Sequence, residues 1–431
     1  MPAYVERNLW RETAPESFAG EPLGGDRVAD LAIVGGGFTG CSAALHAAGL
    51  GADVRLLEAD RVGHGGSGRN VGLVNAGLWM PPDEIGELLG REAGAKLNRA
   101  LARAPDLVFS LIERHGIDCH AVRNGTLHCA HSRRGLAELR SRLAQQLSRD
   151  APVELLDAEQ TRIRTGTDVF HGALFDERAG TIEPYSFCQG LARAAVEQGA
   201  RIHESSPVTS IRHDGKAWHV QTASGSVTAS ALLLATNAYH HLDTDTGMAE
   251  PAFTPVHFFQ FATRPLPPER LESILPGGEG CWDTGTVMSA FRRDHEGRLL
   301  VGSLGALDHA GSAIHRAWAR KKLAALFPDL KKEPLEYAWH GRIAMTADHL
   351  PKIVRLNGNG LMIFGYSGRG IGPGTLFGQT AAEAIVTGSE DVLPLAVFDS
   401  YTERNTGVRR RFFEAGAVAD HAAWMGRHPF A

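Results

Sequence analysis

No stretch of this 431-residue chain approaches 18 consecutive apolar residues, so a membrane-spanning helix is not expected. The first residues carry no apolar core of the secretory type and no Arg-rich amphipathic stretch, which makes the cytoplasm the expected location. Cysteine is scarce: Cys41, Cys119, Cys129, Cys188 and Cys281, an odd number at irregular spacing. That fits free thiols in a reducing compartment and argues against a disulfide framework. Neither sign of charge is in surplus. A net charge of −5 and a pI near 6.5 offer no electrostatic reason for a nucleic-acid or anionic-membrane partner. HExxH, CxxC and EF-hand loops are all absent, so the 20 histidines carry no metal signature. Asp243-Thr244-Asp245, after His240-His241, lacks the rest of a ligand set and reads as a solvated loop.

Glycine is what the chain has in quantity, 50 residues, and 43% of the sequence is hydrophobic, ample for more than one lobe. Residues 1–27 are polar with Pro and Gly and read as a surface arm. Asp30 to Val34 is a short apolar run of the size of a buried parallel strand. Gly35, Gly37 and Gly40 follow it, then a helix over Phe38–Leu50 whose inner face is small. Val54 to Leu57 is a second strand, ending in Glu58. In this order the first glycine allows the tight turn, the second lets a pyrophosphate approach the backbone, and the third lets helix and strand pack closely. Phosphates then sit at the positive helix N-terminus. Glu58, 18 residues after Gly40, is placed to accept hydrogen bonds from ribose hydroxyls.

The unit does not by itself separate FAD from NAD. The next segment, Gly63 to Gly72, is glycine-rich where a nicotinamide Rossmann domain would more often start another βα unit. Its amides and the side chains of Ser67, Arg69 and Asn70 are suited to grip a second stretch of cofactor. Near the other end, Leu361 to Phe364 reads as a buried strand running into Gly365-Tyr366-Ser367-Gly368-Arg369-Gly370-Ile371-Gly372, and a helix follows over about 375–386. That second helix N-terminus is suited to face a flavin ring, whose N1–C2=O edge gains negative charge on reduction.

Between these ends, Glu84 to His115 and Ser132 to Ser148 show helical spacing, as does about Ser186 to Gln198. Strands are expected at 201–203, 207–213, 217–222 and 226–234, and again at 256–263, 287–292 and 298–302. The last block is dense in aromatics, among them Phe258, Phe259, Phe261, Trp282 and Phe291, which in a sheet are more often core than ligand wall.

Taken together, the ADLAIVGGGFTG turn, Glu58, Ser67 to Gly72, Leu234 to Tyr239, Trp339 to Ile343, Asp348 with Pro351, and Gly365 to Gly368 resemble the D-amino-acid oxidase superfamily. Glycine, sarcosine, γ-glutamylputrescine, pipecolate and iminodiacetate oxidases are in that group. The resemblance implies a mixed α/β and α+β fold. A Rossmann-like FAD-binding domain (28–83, 151–240 and 340–431) would be interleaved with an antiparallel-sheet substrate domain (84–150 and 241–339). It puts Gly35, Gly37, Phe38, Thr39, Gly40 and Glu58 on the ADP half of FAD. Ser67, Gly68, Arg69, Asn70, Val71 and Gly72 would lie near the pyrophosphate and ring. Val208 would meet the adenine through its backbone, Thr236 and Asn237 would flank the cofactor, and Gly368, Arg369, Gly370, Ile371 and Gly372 would face the isoalloxazine. Some relatives attach flavin to a histidine; Asn70 stands at the matching position, and no cysteine follows Cys281, so the resemblance implies non-covalent FAD.

The resemblance also implies an oxidase of a secondary amine or amino acid, iminodiacetate-, sarcosine- or pipecolate-like, with oxygen as electron acceptor; a polyamine oxidase of the γ-glutamylputrescine type is the alternative. Arg342 is the expected partner of a substrate carboxylate, and Tyr366 and His340 are expected beside the flavin as further catalytic candidates. Trp79, Met80 and Phe259 are candidates for the pocket wall. Arg292 and Arg293 could add a second cation, though a solvated hairpin suits them better. A dehydrogenase passing electrons to a carrier or quinone, and a flavoprotein subunit without amine chemistry, stay open at this point, as do the substrate and the oligomeric state.

Overall fold

A computed structural model describes residues 6–240 and 253–428. The Asp243–Asp245 run therefore lies outside the described residues. Two large sheets organise the rest. In the first, Arg27–Val34 lies centrally, parallel to Val54–Leu57 on one side and to Ser226–Leu234 on the other. Asn359–Phe364 continues the sheet in parallel beyond Ser226–Leu234, and Arg201–His203 continues it beyond Val54–Leu57. Leu31, Ala32, Ile33 and Val34 are all buried, as expected of a parallel strand covered on both faces. The strand expected at 226–234 thus lies in this first sheet, beside its central strand.

The turn helix, Phe38–Gly49, follows the first strand directly. Cys41, Ala43, Ala44, Ala47 and Ala48 are buried, and their small side chains let a second helix, Ile371–Thr387, lie close. Gly378 marks the closest approach: a Cβ there would stand 2.3 Å from the Thr39 carbonyl oxygen. The second sheet runs Leu335–Met345, Thr254–Thr263, Leu299–Leu304, Ala290–Arg293, Gly280–Asp283, Thr126–Cys129, Ala173–Asp176, Val153–Leu156. All its pairs are antiparallel except Gly280–Asp283 with Thr126–Cys129. The expected combination of a dinucleotide-type parallel sheet with a large antiparallel one is what the chain forms.

Several expectations need correction. Thr126–Cys129 pairs with Ala173–Asp176, and Val153–Leu156 extends the same antiparallel sheet, so the division expected at residue 150 separates strands that hydrogen-bond to one another. The division at 340 cuts through Leu335–Met345, which is one continuous strand. The helical stretch from Glu84 is three helices, Pro82–Leu89, Arg91–Ala102 and Ala104–Arg114. Gly90 breaks the first from the second in a left-handed conformation, φ +83°.

The N-terminal segment is no surface arm. Leu9, Trp10 and Leu23 are buried. Arg7 exchanges two backbone hydrogen bonds with Ala338, Asn8 Nδ2 donates to the Gly68 carbonyl, and Trp10 Nε1 donates to the Asn70 carbonyl. A helix over Thr406–Arg427, which sequence periodicity did not show, packs on Thr254–Thr263. All five cysteines are buried and free. Among the described residues no helix is long and apolar enough to cross a membrane.

Candidate active site

A cavity of about 860 Å³ runs between the two sheets. One end is bounded by Glu58, Ala59, Pro207 and Val208. The middle is bounded by Gly35–Thr39 and Ser67, and the other end by Gly368–Pro373, Trp282 and Trp79.

Glu58 caps the first end. Its carboxylate accepts from Gly36 N–H (2.7 Å) and Asp60 N–H (3.0 Å), which aim it while leaving lone pairs for hydroxyl donors. Burial raises its pKa, and the two backbone bonds oppose that. The turn itself depends on its glycines. Gly35 has φ +108°, and a Cβ on Gly40 would stand 1.9 Å from the Gly35 carbonyl oxygen, a contact of backbone on backbone that no rotamer relieves. A Cβ on Gly37 would lie 2.8 Å from Ser67 Oγ, which accepts from Phe38 N–H. No side chain of the N-cap residue, Gly37, closes the turn helix. Apart from Phe38 N–H, which Ser67 holds, its N-terminal amides and dipole are presented to the cavity, the arrangement that holds a diphosphate.

At the far end a second helix, Ile371–Thr387, also begins without a side-chain cap, at Gly370. Two such termini on one elongated cavity, with an acid at one extremity, match the shape and charge of FAD. An NAD site would need only the first. Asn70 holds the intervening loop: its Nδ2 donates to the carbonyls of Gly66 and Ser67, and its Oδ1 accepts from Gly72 N–H.

The ring end is walled by the pocket face of the antiparallel sheet. Phe258, Gln260, Ala290, Gly302, Leu304, Ile343 and Met345 share that face. Trp282 stacks on His128 at 3.4 Å and carries the Arg369 guanidinium 4.7 Å from its ring centre. Arg369 also donates to the Ala76 carbonyl (2.9 Å), and no carboxylate pairs with it among the described residues. Burial lowers its pKa to about 9, so it stays cationic at neutral pH. His349 packs edge-on against Trp79, with ring centres 5.4 Å apart, and burial lowers its pKa, keeping it neutral at pH 7.

The structure brings most expected residues to this cavity: Gly35, Gly37, Phe38, Thr39, Glu58, Ser67, Asn70, Val71, Val208, Thr236, Asn237, Gly368 to Gly372, Trp79, Arg342 and Tyr366 all line it. Others stand behind the lining. Gly40, Gly68 and Gly72 serve close backbone packing. Arg69 turns away, donating to the carbonyls of His64 and His340 and pairing with Glu6 at 2.5 Å. Arg292 is buried rather than solvated; it donates to the Ile182 carbonyl at 2.6 Å and packs behind the glycine loop. Met80 belongs to the core.

Two candidates fall on the wrong face of the sheet. Phe259 is fully buried and packs on Phe261, His315 and Trp318. Side chains alternate along a strand, so the neighbours Phe258 and Gln260, not Phe259, face the cavity. His340 pairs in register with Phe259 and shares its face, with Asp308 3.9 Å away. Arg342, two residues on, has the same parity; it lines the edge of the cavity with its guanidinium carbon 4.5 Å from the Tyr239 ring centre. The Tyr366 hydroxyl is already bonded to Thr39 Oγ1 at 2.7 Å, and burial pushes its pKa up.

The sequence favours the core for Trp282 and gives no role to Gln260, Tyr239 or His349. One signal was present. In Phe258-Phe259-Gln260-Phe261 the single polar residue marks the face that is not core.

A family model described as "FAD dependent oxidoreductase" (DAO) matches residues 30–384. The probable oxidoreductase OrdL of Haemophilus influenzae is 31% identical over 400 residues, 90% of each chain. The gamma-glutamylputrescine oxidoreductase of Escherichia coli is 33% identical over 360 residues, 83% of each chain. The crystal structure of glycine oxidase from Geobacillus kaustophilus superposes with a TM-score of 0.70 at 22% identity. That likeness, which is one of fold, covers 87% of this chain and 100% of the other.

Proposed function

Because the chain belongs to the DAO family of FAD-dependent oxidoreductases, we propose that it is an oxidase of a small secondary amine or amino acid bearing a carboxylate. The observation that carries this reading is Arg369, a cation without a carboxylate partner among the described residues, laid on Trp282 at the ring end of a chamber with largely apolar walls. A guanidinium there is suited to hold a substrate carboxylate through two parallel hydrogen bonds.

The chemistry that FAD supplies in such a site is two-electron oxidation of the carbon next to nitrogen, with hydride received at N5. The chain's own residues bind, orient and exclude water. Glu58 and the turn-helix N-terminus hold the ADP half, and the Gly370 end of the second helix favours negative charge placed against it. Trp79, Trp282 and Phe258 wall off solvent. Neutral His349 is an acceptor for a proton from the substrate ammonium, which must be lost before oxidation. The imine product takes up water and separates into a carbonyl compound and an amine, while dioxygen leaves as hydrogen peroxide. Asn70 offers no atom for covalent attachment, so FAD is held non-covalently. In this reading the parallel sheet carries the cofactor and the antiparallel sheet bounds the substrate.

A second reading gives the carboxylate to Arg342, which lines the same cavity against Tyr239. Anaerobic mixing with a panel of amines and amino acids tests the proposal. Bleaching of the flavin by N-alkylated amino acids, followed in air by stoichiometric oxygen uptake and peroxide, is the expected result. Bleaching without oxygen uptake would assign a dehydrogenase instead, and no bleaching with any amine would remove amine oxidation altogether.

A further inference from the structure

On the opposite face of the antiparallel sheet, away from the cavity, a separate polar cluster closes around one carboxylate. His309 Nε2 lies 2.6 Å from Glu414 Oε1, His315 Nε2 lies 3.6 Å from the same oxygen, and His257 Nδ1 lies 3.7 Å from Oε2. The ligand atoms of His309, His315 and Glu414 all fall within 4.8 Å of one another.

The hydrogen bonds around His315 set its tautomer. Ser303 Oγ donates to the Met288 carbonyl, so it accepts from His421 Nε2–H at 3.1 Å. The neutral His421 ring then has a lone pair on Nδ1, which takes the proton of His315 Nδ1–H at 2.8 Å. His315 Nε2 is left as a bare lone pair. It is fully buried and has no hydrogen-bond partner. It therefore points an electron pair at a carboxylate oxygen across 3.6 Å, an arrangement that calls for a cation between them. Gly305 makes room for it: a Cβ there would stand 2.4 Å from His315 Nε2, and Gly305 has φ +131°.

We propose that His309, His315 and Glu414 form a site for a divalent transition metal of the zinc(II) class, tying the helix Thr406–Arg427 to the helix Ser312–Leu326 and to the segment that leads into it. Two imidazoles and a carboxylate are a zinc donor set. The fourth position opens on a surface groove lined by Arg411, so water or a small anion fills it. His309 Nδ1 now accepts from Gly311 N–H at 2.9 Å. Metal binding at Nε2 moves the ring proton to Nδ1, so that contact gives way and the ends of the 305–311 segment reset.

The test uses tag-free, FAD-loaded protein, stripped with chelator and gel-filtered after zinc chloride. One zinc per chain is expected, with a rise in Tm of about 2–4 °C at a zinc concentration a hundredfold above Kd. Glu414→Gln keeps an acceptor for Ala306 N–H, and His309→Ala lies at the surface; each is expected to lose the zinc and the Tm rise while keeping its flavin. His171→Ala, at another exposed histidine, is expected to retain both. Cobalt(II) in place of zinc should give tetrahedral d–d absorption beyond the flavin bands, absent from both site variants. Wild-type protein with no stoichiometric zinc, or site variants that bind it equally, would overturn the site.

Discussion

Replacing Arg369 by alanine distinguishes a substrate anchor from a structural arginine. In the folded chain the guanidinium has two visible contacts, the Ala76 carbonyl and the Trp282 ring. Losing one hydrogen bond and one cation–π contact costs about 1–3 kcal/mol of stability. Flavin should stay bound, because the neighbouring glycines would meet it through their backbone. A charge-assisted pair with a carboxylate contributes about 1.5–3 kcal/mol, so kcat/KM for a carboxylate substrate should fall about 10–150-fold. The same amine without its carboxylate should lose little. Arg369→Lys keeps a charge without the planar fork and should fall between. Arg342→Ala, assayed alongside, should affect both substrates alike. Steady-state oxygen uptake on the matched substrate pair measures all of this. Equal losses on the two substrates in Arg369→Ala, or a carboxylate-selective loss in Arg342→Ala, would refute the assignment.

Gly40→Ala should release the flavin on gel filtration and lower stability by about 1–3 kcal/mol or more, since its Cβ would strike the Gly35 carbonyl; a variant with full flavin and unchanged Tm would contradict the packing argument. Acid precipitation of the native protein should leave the yellow colour in the supernatant, and colour in the pellet would mean covalent attachment. Glu183 is buried, and burial raises its pKa to about 7. A raised carboxyl favours the fold below the unfolded value, near 4.5, and that contribution is lost as pH climbs through about 7. Between pH 4.5 and 8, wild type should lose up to about 3 kcal/mol relative to Glu183→Gln in denaturant titrations; parallel curves would show that Glu183 ionises normally.

The cofactor half of this molecule was legible in the sequence because it is local. Gly35, Gly37, Gly40 and Glu58 lie within one βαβ unit, where spacing along the chain is spacing in the fold. The second glycine loop was legible for the same reason. The substrate half was not. Phe258, Trp282 and His349 come from distant strands and loops, and only sheet register decides which of two adjacent phenylalanines faces inward. Phe258 and Phe259 stand one position apart, which in a strand is the difference between the two sides of the sheet. The N-terminal segment misled by composition: its polar residues hide Leu9 and Trp10, whose burial depends on Trp339, more than 300 positions away. The helix Thr406–Arg427 buries little beyond Ala417 and His421, so it writes almost no apolar stripe into the sequence.

The hydrogen bonds that tie residues 7–10 to the glycine loop and to Ala338 bear on the order of events at the ribosome. The first strand meets Val54–Leu57 early, but its partner on the other side, and the strand beyond that one, are made only with residues 226–234 and 359–364. At about 5–20 residues per second, that leaves on the order of 15–60 s in which an apolar strand and the segment 7–10 wait for neighbours not yet synthesised. Flavin capture is thus a late event in the life of the nascent chain. A cell short of flavin would accumulate full-length protein with an open turn, not a half-made one.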